Sequence, residues 1–214
     1  MKNKYGILFV AGLAFCSVLK ADVLDHVDCM IGTDGKGFNF PGATTPMGMI
    51  QLSPSDDSQL KNWCSGYHYS DTTLKGFAHN HFSGTGLAGM GDLLIMPTHG
   101  ELKMQPGTKE DPDSGFRSRF THMLEKATPG YYNVWLDDYD VNVELTASPR
   151  VGFHRYTFAR EGRHNVIFDP GHRVRAIVMK SNIEIISDTE LKGWKYSHDA
   201  SCGVRKVYFY AKFS

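Results

Sequence analysis

An all-β fold, specifically an antiparallel β-sandwich, is what the sequence predicts, and three observations predict it. Apolar residues recur with period two in many short runs. Turn-forming pairs stand between the runs, at Pro129-Gly130, Asp137-Asp138, Ser148-Pro149, Glu161-Gly162 and Pro170-Gly171. Beyond the first twenty-one residues, no window of ten or more sustains a 3.6-residue period. Many short strands without intervening helices pack as a sandwich or barrel.

The runs follow in order. Met47, Met49 and Gln51 alternate with Gly48, Ile50 and Leu52, which predicts a strand buried on both faces. Residues 92–96 form an apolar run that Pro97 is expected to stop. Tyr132, Val134 and Leu136 alternate with Asn133 and Trp135, and Val141, Val143 and Leu145 with Asn142 and Glu144. Further strands are expected over 152–158, 165–168, 183–186 and 204–213. No internal repeat or low-complexity linker divides the chain, so residues 22–214 are one domain. The run 207–213 looks like a core strand with neither turn nor cap after it, which predicts a domain cut short.

Lys and Arg number 23, as do Asp and Glu, so there is no basic excess to hold a phosphate backbone and no nucleic-acid partner is expected. A hydrophobic fraction of 41% excludes a disordered chain. Residues 1–21 carry Lys2 and Lys4 ahead of an apolar stretch, 6–19, too short to span a bilayer comfortably. They read as a signal peptide ending at Ala21, which predicts a secreted or periplasmic protein with no membrane span after cleavage. Lipid anchoring at Cys16 is not expected, because Phe15 before it is too large. Cys29, Cys64 and Cys202 remain after cleavage. With no C-x-x-C pair among them, buried unpaired thiols are expected rather than a structural zinc site.

Several motifs carry possible chemistry. Gly84, Gly86 and Gly89 spell G-x-G-x-x-G, but a short strand ending in Pro97 follows where a dinucleotide site needs a helix. The glycines are expected to serve a loop needing positive φ or close backbone approach. His79 and His81, if extended, share a face and would hold a metal with a third ligand from His68 or Asp92. Histidines in such positions more often bond neighbouring backbone, and no metal ligand is assigned. Trp63 stands beside turn residues, either as a core side chain or as a platform for the apolar face of a sugar. Asp137, Asp138 and Asp140 lie between two strands and read first as turn residues. No nucleophile elbow is present, and no catalytic residue is assigned.

Ordered blocks run through the whole mature chain: Val27 to Thr33, Phe40-Pro41-Gly42-Ala43, Pro46 to Gln51, Trp63 to Tyr69, Gly76 to His79 and His81 to Gly86. Gly91-Asp92, Met96-Pro97, Ala127 to Tyr132, Glu144 to Ala147, Arg150 to Tyr156 and Tyr210 to Ser214 follow. In this order they resemble the N-terminal domain of glycoside hydrolase family 92. Cys29-Met30 departs from the family's Pro-Phe, and Gly89 from its acidic residue.

The resemblance implies an N-terminal galactose-mutarotase-like supersandwich, truncated before an (α/α)6 catalytic barrel. It implies a calcium-dependent exo-α-mannosidase that trims mannose from N-glycans or mannan with inversion. The barrel would supply the general acid, the general base and the calcium ligands, so no calcium is expected in this fragment. Trp63 is the residue expected to stack on the terminal mannose, with His79 and His81 as loop-ordering substrate-site residues. The expected partners are mannose-containing glycans and the missing barrel, and the fragment alone is expected to be inactive. The alternative is a stand-alone carbohydrate-binding sandwich.

Overall fold

A computed structural model describes residues 22–56, 64–200 and 202–214. The signal peptide expected over residues 1–21 lies outside them. The described strands are β1 (Ala43–Thr44), β2 (Gln51–Ser55), β3 (Thr73–Leu74), β4 (Gly76–Ala78), β5 (Leu94–His99), β6 (Ser118–Arg119) and β7 (Glu125–Thr128). After them come β8 (Tyr131–Leu136), β9 (Val141–Ala147), β10 (Gly152–Phe158), β11 (His164–Asp169), β12 (Ile177–Ser187), β13 (Glu190–Asp199) and β14 (Gly203–Lys212). Helix among the described residues is limited to single 3-10 turns at Val23–His26, Pro112–Ser114 and His122–Leu124.

All the pairings are antiparallel. Five strands form one sheet in the order β1-β2-β4-β5-β11, and four form a second in the order β10-β9-β8-β7. The core lies between these two sheets. Leu52, Phe77, Leu94 and Met96 come from the first, and Tyr132, Val134, Val143 and Leu145 from the second. The alternation read from β8 and β9 is the burial observed, with every second residue inside. The fold is therefore the antiparallel sandwich that the period-two pattern predicted. A two-stranded antiparallel sheet β3-β6 and a three-stranded meander β12-β13-β14 complete the described sheets.

Pro97 does not stop its strand, contrary to expectation: β5 runs through it to His99, with Val166 opposite. β4 touches β5 only at Phe77–Ile95, so no ladder bond from that side is asked of the proline. The run beginning at Met47 also needs correcting. The chain turns at 45–48, where Gly48 N–H donates to Thr45 O at 2.9 Å, and Met47 takes a φ of 58°. Met47 and Met49 point to solvent, and the strand starts only at Gln51.

The expected core strand over 207–213 belongs to β14, which among the described strands pairs with β13 alone and leaves Tyr208 and Tyr210 largely exposed. Asp137, Asp138 and Asp140 are turn residues between β8 and β9, as read, and they tie that turn to its surroundings. Asp138 accepts from the Arg119 backbone at 2.7 Å and its guanidinium at 2.6 Å, while Asp140 pairs with Arg160. No disulfide joins Cys29, Cys64 and Cys202. Only Cys64 is buried; the other two are half-buried, so the expectation of buried thiols holds at one position of three.

A buried carboxylate pins β7 beneath the core. Glu125, on the first residue of β7, accepts from Tyr67 Oη at 2.9 Å, Tyr132 Oη at 2.6 Å and His122 Nδ1 at 2.5 Å. Three partners on one buried side chain satisfy its oxygens without solvent.

A candidate sugar-facing rim built on a buried ion network

The family blocks that are far apart in sequence meet at one rim of the sandwich. Residues 80–92 form a loop closed at its base by two bonds between the same partners. Asn80 Nδ2 donates to Asp92 Oδ2 at 2.9 Å, and Asp92 N–H donates to Asn80 Oδ1 at 2.8 Å. The glycine-rich tip is exposed, and Gly84 and Gly86 have φ of 68° and 65°, the left-handed region that glycine enters without strain. No helix starts there, as the sequence argued. The tip is tied sideways: Gly84 N–H donates to Phe38 O at 2.9 Å, Ser83 Oγ to Asn39 Oδ1 at 2.9 Å, and Cys64 Sγ to Gly86 O at 3.4 Å.

Trp63 lies outside the described residues. Its neighbours are well held: Asp56 N–H donates to Gly66 O at 2.7 Å, bringing together the two ends of the segment that carries it. Arg117, fully buried, binds Asp56 and reaches Thr73 Oγ1 at 2.9 Å. Lys109 bridges Asp56 at 3.1 Å and Asp71 at 2.6 Å.

The two histidines flanking Asn80 go to different places. His81 is buried, with Nδ1 2.5 Å from Ser65 O and Nε2 3.3 Å from Ala78 O. His79 sends Nδ1 to Leu93 O at 2.9 Å and faces His154 with Nε2 at 3.1 Å. Burial pushes the His79 imidazole down to about 4, against the pull of the Leu93 carbonyl, and burial lowers His81 as well. His79 has a protein partner at each ring nitrogen, and His81 faces a carbonyl oxygen at each of its own, of which a neutral ring donates to one. Among the described residues no three His, Cys, Asp or Glu side chains gather as a metal group.

Beneath the rim lies a network the sequence did not announce. Asp92, 1% exposed, pairs with Lys195 Nζ at 2.8 Å and Arg205 Nη1 at 2.8 Å, and Arg205 reaches Asp199 at 3.0 Å. Lys195 also donates to His172 O, and His172 Nε2 stands 2.8 Å from Ser55 Oγ. Burial opposes the charge on Asp92, but Lys195, Arg205 and Asn80 outweigh it and hold the carboxyl below its ordinary value. Burial likewise pushes Lys195 down, with Asp92 opposing. The two shifts pull the pair in opposite directions. The geometry decides for an ion pair, since Asp92 meets two cations and an amide within 2.9 Å.

Asp92 and Asp199, the acidic groups nearest the rim loop, are thus committed to Lys195 and Arg205. A calcium ion needs six to eight oxygen ligands, and these carboxylates do not supply a set free for one. A Cβ at Gly89 would stand 2.8 Å from the Phe82 ring and 3.1 Å from Asp199 Oδ1. That crowding accounts for the glycine.

The profile of the Glycosyl hydrolase family 92 N-terminal domain matches residues 26–214. The chain belongs to glycosyl hydrolase family 92. The family 92 α-mannosidase BT3965 from Bacteroides thetaiotaomicron, solved with mannoimidazole, is 42% identical and superimposes with a TM-score of 0.86 over 89% of this chain. The family 92 glycosyl hydrolase ccman5 is 26% identical with a TM-score of 0.74. An uncharacterized secreted glycosidase of Arthroderma benhamiae is 28% identical over 165 residues, 72% of this chain. This chain spans 25% of the length of BT3965, 26% of ccman5 and 20% of the fungal relative. None of the helices among the described residues is long and apolar enough to cross a membrane.

Proposed function

We propose that this chain is the N-terminal sandwich of a secreted, inverting exo-α-mannosidase that removes terminal α-linked mannose from N-glycans or mannan. The observation that carries this reading is the 42% identity and shared fold with an α-mannosidase bound to mannoimidazole. The secreted description of the fungal relative and the leader-like residues 1–21 support export.

In this reading the rim contributes shape, not proton transfer. Trp63 stacks on the terminal mannose. His79 and His81, occupied by backbone carbonyls and by His154, order the loop beside it. Inversion needs an acid and a base about 6.5–9.5 Å apart across the sugar. Asp92 is neutralised in its ion network, so both carboxylates would come from the C-terminal part of the enzyme. Calcium, when bound there, would orient hydroxyls and offset charge.

The test is a comparison of the chain alone with the chain joined to the C-terminal part of a family 92 relative. The chain alone should release no mannose, with or without calcium. The joined protein should turn over, and Trp63→Ala should impair it. Calcium-dependent mannose release by the chain alone would overturn the proposal.

A further inference from the structure

The outer face of the four-stranded sheet carries a second arrangement suited to a sugar. Asn133 and Trp135 project outward from β8, with Glu144 and Asn142 opposite them on β9. Beside them the 3-10 turn His122–Leu124 and the start of β7 raise a wall. Between wall and sheet lies a cleft of ≈ 270 Å³ lined by Met123, Leu124, Lys126, Asn133, Trp135 and Asn142.

The polar groups of the cleft are fixed and half used. Asn133 Nδ2 donates to Asn142 Oδ1 at 2.8 Å and to Val143 O at 2.8 Å, which locks both amides in place. Asn133 Oδ1 and Asn142 Nδ2 have no partner among the described residues. One acceptor and one donor are therefore offered side by side next to an indole. Glu144, on the same face, is engaged by Tyr131 Oη at 2.9 Å and Arg155 at 3.4 Å. Lys126 and Glu125 are the ionisable residues of the lining, and the Glu125 carboxylate is taken by Tyr67, Tyr132 and His122.

We propose that this cleft is a second glycan-binding site, distinct from the rim and specific for a neutral pyranose. A pyranose presents C–H bonds on one face and hydroxyls at its edge. The indole of Trp135 takes the first, and the paired amides take a donor and an acceptor among the second. Among the lining residues an anionic ligand would find one cation, Lys126, beside the Glu125 carboxylate. The choice of mannan as probe rests on the mannosidase reading; the site itself does not.

Affinity electrophoresis of the whole chain through gels containing mannan, a neutral glucan or an acidic polysaccharide tests the proposal. Mannan or glucan should retard the wild type. Trp135→Ala and Asn142→Ala should migrate freely at unchanged thermal midpoint, with a rise in Kd of roughly tenfold for the tryptophan variant. Trp135→Tyr should retain part of the retardation, and Tyr208→Ala, which removes an exposed aromatic ring on another sheet, should retain all of it. Retardation by glucan but not mannan would uphold the cleft while counting against the mannosidase reading. Absence of retardation by any neutral polysaccharide would overturn the proposal. So would retardation that survives Trp135→Ala, or that appears only in the acidic gel and vanishes with salt. Loss in Trp63→Ala alone would overturn it too, moving the binding to the rim.

Discussion

The Nε2 atoms of His79 and His154 lie 3.1 Å apart and join the two sheets of the sandwich. One must donate. His79 Nδ1–H serves the Leu93 carbonyl, which can only accept, so neutral His79 offers Nε2 as the acceptor. His154 then donates through Nε2–H, and its Nδ1 accepts from Tyr156 Oη at 2.8 Å. The protons run in one direction from Tyr156 to Leu93, and an added proton on either ring breaks the sequence.

Stability should therefore fall in acid. Burial holds His79 at about 4 and His154 well below its ordinary value, so the unfolded chain binds more protons than the folded one below about pH 6.5. The stabilisation is complete above that pH and is lost as pH falls through 4, with His79 alone contributing about 3 kcal/mol. His154→Phe should cost about 1–3 kcal/mol at pH 7, by leaving His79 Nε2 buried without its donor. Urea unfolding at pH 7 and pH 4.5 measures both effects. An equal acid loss in wild type and variant would refute the assignment.

Asp92→Asn should be more damaging than its position in a loop implies. It leaves Lys195 and part of Arg205 without a counter-charge, a loss of about 3–5 kcal/mol. Adding Lys195→Met should recover part of that loss. A double variant no more stable than Asp92→Asn would show that the cation is not the source of the damage.

Gly42→Ala tests a close backbone approach. A Cβ there would stand 2.2 Å from Leu52 O and 2.4 Å from Ser53 Cβ, so β1 and β2 would have to separate. The expected cost is about 1–3 kcal/mol, as for overpacking. Gly35→Ala has open space and strain only from its φ of 59°, and should cost about 1 kcal/mol. Thermal midpoints that fall equally in the two variants would rule out the packing argument.

Tyr132→Phe should destabilise by about 1–3 kcal/mol, because it withdraws a 2.6 Å donor from the buried Glu125 carboxylate. Tyr67→Phe removes a longer bond to the same carboxylate and should cost less. Chemical denaturation of the two single variants gives the ranking, and the reverse order would contradict it.

What the sequence made legible was the part of the fold that obeys the period-two rule. β8 and β9 bury alternate apolar residues, so their faces could be assigned before any coordinates. β13 inverts that rule, and no strand was read there. Its inward positions hold Lys195, Ser197 and Asp199, whereas Trp194 and Tyr196 lie on the less buried side. A buried lysine looks like a surface residue until its partner is known, and Asp92 comes from a distant segment. Arg205, the other cation on Asp92, is 113 residues away from it. The rim was legible as a set of blocks, but their convergence through Asn39, Cys64 and Gly86 was not. His154, the partner that explains His79, carried no signal beyond its place in a strand.

The pairing of β5 with β11 sets an order of assembly. Leu94 to Thr98 are all buried, yet the strand that closes one side of β5 arrives only after β7, β8, β9 and β10 in the chain. A polypeptide emerging from its N-terminus holds that apolar strand half-open while an entire second sheet is made. Such a contact, distant in sequence, is slow to form, and a bare strand edge invites association with other chains. Chains halted between residues 158 and 164 should aggregate more readily than chains released after residue 169, so the vulnerable interval in the life of this protein falls during its synthesis.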